Sequence, residues 1–173
     1  MLACVDVDYR DPDALAACCL FAAWDDGAPA RELTAWVTGV AAYEPGRFYK
    51  RELPCLLAVL GQVAEPLDLV VVDSYVWLDD VDHPGLGAHL YGALDGRVPV
   101  VGVAKTRYAS ATTARAVQRG VGHNPLFVTA AGVDVDQAAA WVQAMHGDCR
   151  VPTLLRRVDR LARETPSPPS PCS

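Results

Sequence analysis

The sequence predicts an α/β domain in which a mixed sheet, an antiparallel meander continued by parallel strands, is flanked by helices. Three observations carry that reading. Residues 2–9, 14–24 and 32–42 are successive alternating or apolar runs, broken by Asp11-Pro12 and by Asp25-Asp26-Gly27, as hairpin-linked strands are. Residues 50–64 then switch to a helical period, with Leu53, Leu56, Leu57, Leu60 and Val63 on one side. Residues 67–72 and 98–103 are short and predominantly apolar, the pattern of strands buried on both faces in a parallel sheet.

Taken in order, residues 2–9 alternate and stop at an Asp-Pro pair, and the next two runs complete the meander. Tyr43-Glu44-Pro45-Gly46 breaks the pattern before the helix at 50–64, which covers the sheet. A second helix, 84–94, separates the strands at 67–72 and 98–103, so the order βββαβαβ calls for helices packed on a mixed sheet. Beyond Lys105, residues 114–119 and 126–130 suit a hairpin around 120–124. An amphipathic helix follows at 135–145, with Asp134 or Asp136 near its positive end, and a basic helix runs from 152 to 163. Residues 1–164 therefore read as a single domain, and the Pro/Ser-rich stretch 165–173, which cannot build a core, as a disordered tail.

At 173 residues, half of them apolar, the chain can bury a real core. No run approaches the about 18 apolar residues of a membrane span, and no basic leader precedes the first strand, so a cytoplasmic, monomeric protein without membrane contact is expected. Six cysteines show no metal-type spacing, and four fall in apolar stretches, which fits buried free thiols better than disulfides. The formal charge of −6 excludes a non-specific nucleic-acid coat. Its distribution is uneven: residues 1–46 hold two basic and eight acidic residues, and 47–173 hold thirteen of each. Local clusters such as Arg47/Lys50/Arg51 and Arg156/Arg157/Arg160/Arg163 can still grip a few phosphates.

Asp6 in the first strand, Glu52 in the first helix and Asp73 at the end of Leu69-Val70-Val71-Val72 stand out chemically. A carboxylate set in a β-branched run is costly to desolvate and is rarely left without a partner such as a cation. Two strand-borne acids and one helical acid suit oxygen-preferring Mg²⁺ or Mn²⁺ and the metal-assisted cleavage of a phosphodiester. Each acid also has a plainer reading. Alternation sets Asp6 and Asp8 on one face of the strand and Val5 and Val7 on the other, and if only one face is core the acids face solvent. Asp73 fits a strand-terminal or capping Asp, and Glu52 a first-turn Glu favoured by the helix dipole.

Six segments in register give the three acids a common meaning: Cys4-Val5-Asp6-Val7-Asp8-Tyr9, Tyr43-Glu44-Pro45-Gly46, Arg51-Glu52-Leu53-Pro54, Val71-Val72-Asp73, Val101-Gly102-Val103-Ala104-Lys105 and Pro125-Leu126-Phe127-Val128. Together they resemble the endonuclease V family, the deoxyinosine 3′ endonucleases, which have a ribonuclease H-like fold. The resemblance covers roughly residues 2–163 and is closest from Asp6 to Asp73. The likeness starts at the first strand, so the short helical extension that often precedes it in that family is expected to be absent. The likeness implies a metal-dependent endonuclease that hydrolyses the phosphodiester 3′ to a deaminated purine, hypoxanthine, in DNA or in RNA, in the service of repair. Asp6 and Asp73 would ligate Mg²⁺ or Mn²⁺, Glu52 would complete the site directly or through water, and Lys105 would pair with a phosphate or orient the water. Tyr43, held by Glu44-Pro45-Gly46, matches the family's wedge, and an aromatic ring there would replace stacking worth about 1–3 kcal/mol per base. Gly46 and Phe48 would line the pocket for the flipped base.

Departures from the family pattern cluster in the recognition loops. The family's Gly-x-Gly after the catalytic Asp is Ser74-Tyr75-Val76 here, and Asp79 stands where a His is usual. Bulk at Ser74 would narrow a wall otherwise made of bare backbone, and Asp73, Asp79, Asp80 and Asp82 would repel phosphate. His83, before Pro84, and His89 are the nearest equivalents of the family's histidines, each also compatible with a purely structural role. Gly132 is followed by Val133 and Asp134 rather than by the usual His, leaving Asp134 or Asp136 as a substitute near the metal or as a helix cap. The alternatives are therefore a divergent member that binds nucleic acid or a protein and cuts poorly, or a protein that keeps the fold alone.

Overall fold

In the computed structural model, which describes residues 1–42, 44 and 48–164, β1 (Leu2–Arg10), β2 (Asp13–Phe21) and β3 (Arg31–Val37) form the antiparallel meander. After α1 (Tyr49–Leu60), β4 (Leu69–Val72) pairs parallel to β1, and after α2 (Leu86–Ala93), β5 (Val100–Ala104) pairs parallel to β4. β6 (Arg115–Val117) and β7 (Leu126–Ala131) form the expected hairpin, and β7 closes antiparallel on β5. The seven-stranded order is β3-β2-β1-β4-β5-β7-β6, followed in the chain by α3 (Val135–Ala144) and α4 (Thr153–Glu164).

The sheet is buried on both faces, which corrects the expectation that only one face of β1 is core. Ala3 and Val5 pack with Val70, Val72, Leu56 and Leu90 under α1 and α2. Cys4 packs with Val71, Val101, Val142 and Val158 under α3 and α4. β1 is an interior strand, and the side that carries Asp6 is apolar at Leu2 and Cys4 and polar beyond, at Asp8 and Arg10, so the carboxylate sits at the end of a core. β2 explains how two helical layers come so close: its run Ala14-Leu15-Ala16-Ala17-Cys18-Cys19 is wholly buried, and its small side chains leave room on both faces.

Several predicted ends are trimmed for visible reasons. β3 stops at Val37, and α2 starts at Leu86 because Pro84 forms an isolated antiparallel bridge with Trp77. Asp134 settles its own alternatives by capping α3, its carboxylate accepting from the backbone N–H groups of Asp136 and Gln137 at 3.0 Å, while Asp136 pairs with Arg115. The buried Arg119 closes the other end of α3, donating to the carbonyls of Val142 (2.9 Å), Gln143 (2.6 Å) and Met145 (2.8 Å). Arg10 does the same for α4, with bonds to the carbonyls of Ala162 (2.9 Å) and Arg163 (2.8 Å). The expected tail, 165–173, lies outside the described residues.

Candidate active site

The parallel pairing of β1, β4 and β5 ends at one edge of the sheet, where β4 stops while β1 continues to Arg10 alongside β2. The β1–β4 register runs from Leu2↔Leu69 to Val5↔Val72, and one further step sets Asp6 beside Asp73 where β4 stops. Adjacent strands lie about 4.8 Å apart, so that register alone brings the two carboxylates into one neighbourhood. The β4–β5 ladder ends at Val72↔Gly102, and Lys105 leaves β5 at the same edge with its ammonium hydrogen-bonded to Asp73. Glu52 comes from the first turn of α1, on the helix side that is buried against the sheet.

The electrostatics of this edge are those of a site with too many carboxylates for its counter-charge. Burial pushes the Asp6 carboxyl up to about 7; the Val7 N–H, donating at 2.9 Å, and the Lys105 charge oppose the rise, while Asp73 and Asp159 add to it. Glu52 is only 6% exposed, and burial, then the charges of Asp6 and Asp73, lift it to about 8. One of its oxygens, Oε2, is buried without a hydrogen-bond partner. Partial burial works against the Lys105 charge, yet the bond to Asp73 and the charges of Asp73, Asp159 and Asp6 hold its pKa above the ordinary lysine value.

Hard oxygen donors, mutual repulsion and an orphaned carboxylate oxygen suit a divalent cation chemically. Among the described residues, however, no group of three or more His, Cys, Asp or Glu side chains is arranged to hold an ion as it stands. Asp73 instead faces the lysine.

Beside this edge lies a cavity of about 350 Å³, lined among others by Phe48, Tyr49, Ser74, Leu78, Leu86 and Tyr108. That volume falls at the lower end of the about 300–1,000 Å³ typical of small-molecule sites. Its Ser74 wall is packed on glycines: a Cβ on Gly102 would meet the Ser74 carbonyl at 2.4 Å, and one on Gly85 the Tyr75 carbonyl at 2.5 Å. Ser74 therefore lines the cavity without closing it. Tyr75, buried, donates its hydroxyl to the Thr106 carbonyl (2.9 Å) and accepts from the Tyr108 N–H (3.0 Å), tying the wall to the segment after Lys105. His89 stacks on Tyr49 with ring centroids 3.6 Å apart, so it stands behind the cavity and joins α2 to α1.

The acidic segment that replaces the expected His is used internally. Asp79 accepts from the N–H groups of Val81 and His83 at 3.0 Å and pairs with the His83 ring. Asp80 accepts from the Thr113 N–H at 3.1 Å and pairs with the Thr112 hydroxyl. Tyr43, Pro45 and Gly46 lie outside the described residues. Asp159, a residue that sequence reasoning passed over, is added by the structure: it acts on both Asp6 and Lys105 from α4 and is bonded to Arg163 at 2.8 Å. A signal for it existed, since it is an acid set among Leu155, Val158 and Ala162 on the buried side of an amphipathic helix.

Solved structures share this architecture. The crystal structure of endonuclease V from Streptomyces avermitilis is similar at 30% identity and TM-score 0.79, covering 94% of this chain and 79% of that one. Endonuclease V from Ciona intestinalis, solved with a 24mer DNA containing an inosine followed by a ribo-adenosine, shares the fold at 17% identity and TM-score 0.76, covering 94% of this chain and 84% of that one. The class is thus a ribonuclease H-like α/β protein, with acidic residues at the carboxyl edge of its parallel strands. The endonuclease V family model matches residues 1–121. The Streptomyces avermitilis endonuclease V sequence is 34% identical over 185 residues, spanning 92% of this chain and 77% of the relative, and that of Streptomyces coelicolor is 32% identical over 183 residues, spanning 92% and 76%. The chain belongs to the endonuclease V family of nucleases.

Proposed function

We propose that this protein is a Mg²⁺- or Mn²⁺-dependent endonuclease that cuts the phosphodiester 3′ to hypoxanthine in DNA, and in RNA, as part of nucleic-acid repair. The observation that carries the reading is the convergence of Asp6 and Asp73, by strand register, with the buried, half-unpaired Glu52 and with Lys105, next to a cavity of about 350 Å³. Asp6 and Asp73 would hold the cation, with Glu52 binding directly or through water. When bound, the cation supplies an attacking water of lowered pKa and stabilises charge on the departing oxygen.

The rest falls to the chain's own groups. Lys105 offers a cation to the scissile phosphate once its ammonium is shared with Asp73 less tightly. Phe48, Tyr49 and Ser74 enclose the extruded base, His89 backs the Tyr49 ring, and His83 holds the loop beyond Leu78 through Asp79. Tyr43, followed in sequence by Pro45 and Gly46, would fill the gap left in the stack, as its match to the family's wedge implies. The protein acts as a monomer in the cytoplasm; among the described residues no helix is long and apolar enough to cross a membrane.

A second reading, a member that binds but cuts poorly, draws on the acidic loop in which Asp79 stands where the family has a histidine and is bonded to its own loop. One assay separates the two: inosine-containing and matched undamaged oligonucleotides, single- and double-stranded, with Mg²⁺, Mn²⁺ or chelator. Metal-dependent nicking 3′ to inosine that falls by about 100-fold or more in Asp6→Asn and Asp73→Asn supports the nuclease. Tight binding without nicking supports the second reading, and equal cutting of undamaged strands removes the lesion preference.

A further inference from the structure

We infer that the groove beyond Lys105, lined by Arg107, Asn124, Phe127 and Arg150, binds a phosphodiester of the substrate strand next to the one that is cut. The inference rests on the nuclease reading and adds a subsite to it. The groove has a volume of about 280 Å³ and shares Lys105 with the acidic edge: the ammonium of that residue meets Asp73, while the residue itself forms part of the groove wall. No carboxylate lines it. On a chain of net charge −6, two arginines gathered without an acid, beside a lysine shared with Asp73, select a polyanion.

Both arginines are held by backbone in a way that leaves their charge unspent. Arg150 donates from Nη2 to the carbonyls of Lys105 and Pro125, the latter at 2.9 Å, and its Nε is buried without an acceptor. Its approach depends on Gly120, which holds a φ of +66° and where a Cβ would meet the Asp148 carbonyl at 2.9 Å and the Arg150 nitrogen at 3.1 Å. Arg107 stands between two bonds to one hydroxyl: Tyr75 donates to the Thr106 carbonyl and accepts from the Tyr108 N–H. Its backbone is thereby fixed while its side chain is exposed. Among the described residues no carboxylate pairs with Arg107 or Arg150. An anchored guanidinium at Arg150 and a second, uncompensated one at Arg107 on the same groove suit the fork geometry of a phosphate, and the half-buried Phe127 ring offers an apolar floor for the attached sugar or base.

The test measures anisotropy of a short fluorescein-labelled single strand carrying one inosine, in EDTA, across a KCl series. Arg107→Gln and Arg150→Gln each weaken binding about 3- to 10-fold and lower the slope of log K against log salt by about 0.7, the value for one lost contact on a single strand. Replacing phosphates singly by neutral methylphosphonates finds one position beside the cleavage site that reproduces the loss, and there Arg107→Gln has no further effect. Unchanged affinity and slope in Arg107→Gln, whose side chain is exposed and whose fold is checked by circular dichroism, overturns the groove even if Arg150→Gln misfolds. Nicking assays with Mg²⁺ on the same proteins keep the two claims apart. Arginine-dependent binding without any inosine-directed nicking leaves the subsite standing and removes the nuclease reading, whereas nicking with arginine-independent binding does the reverse.

Discussion

Glu52 lies almost wholly out of water with Oε2 unpaired, so its ionised form is costly in the folded state and not in the unfolded one. With a folded value near 8 against an unfolded value of about 4.3, the folded protein keeps a proton that the unfolded chain releases. Stability is therefore fully present below about pH 4 and is lost as pH rises towards 8, and Asp6, near 7, acts in the same sense. The metal-free protein should show a melting temperature that falls between pH 5 and pH 9 as these groups ionise. Glu52→Gln should flatten that fall and melt higher than the wild type at the alkaline end; a wild type that melts higher at the alkaline end contradicts the assignment. Asp6 and Asp73 were legible in the sequence because one is set in an alternating apolar strand and the other ends an apolar run, and Lys105 only through the resemblance to the family. Asp159 was not picked out, since an acid among Arg156, Arg157 and Arg160 looks like surface unless the helical period that groups it with Leu155, Val158 and Ala162 is followed. Nor was the inward use of Asp79 and Asp80, which depends on where the 110–113 segment lies.

At the scale of elements, the candidate site forms where β4 stops at Val72 between β1 and β5, which run on past it, and the chain turns sharply after Asp73. That turn is seated on Gly102 of β5, where an added methyl group would meet the Ser74 carbonyl at 2.4 Å and the Val76 nitrogen at 2.9 Å, both backbone. Gly102→Ala should therefore cost about 1–3 kcal/mol in urea unfolding and, by shifting Ser74, reduce discrimination between inosine and guanosine strands. Full stability together with unchanged discrimination would show that the turn does not set the cavity wall. Helices and strands were readable from period alone, and most boundaries moved by only a few residues. What periodicity could not supply was register: that Asp6 falls beside Asp73 follows from the β1–β4 ladder, a pairing between segments far apart in the chain. The double burial of β1 was hidden for a related reason, because an acid in its outer half made one face look wet.

The charges of the whole molecule are unevenly distributed along the chain. The meander and its loops are acidic, while the segment after Lys105 and the last helix hold most of the arginines, and α4 docks back on β1 and β2 with Arg157 paired to Glu32. Within that asymmetry, the carboxyl edge of the parallel strands is where an α/β sheet places its ligands, and here it gathers three carboxylates whose repulsion is only partly met by one lysine. The most direct test of this central claim is calorimetric titration of the purified protein with Mn²⁺ at pH 6 and pH 8. Uptake should be tighter at pH 8, where fewer protons compete for Asp6 and Glu52, and should be lost in Asp6→Asn and in Asp73→Asn. Uptake that is absent from the wild type, or equal in wild type and both variants, would contradict it.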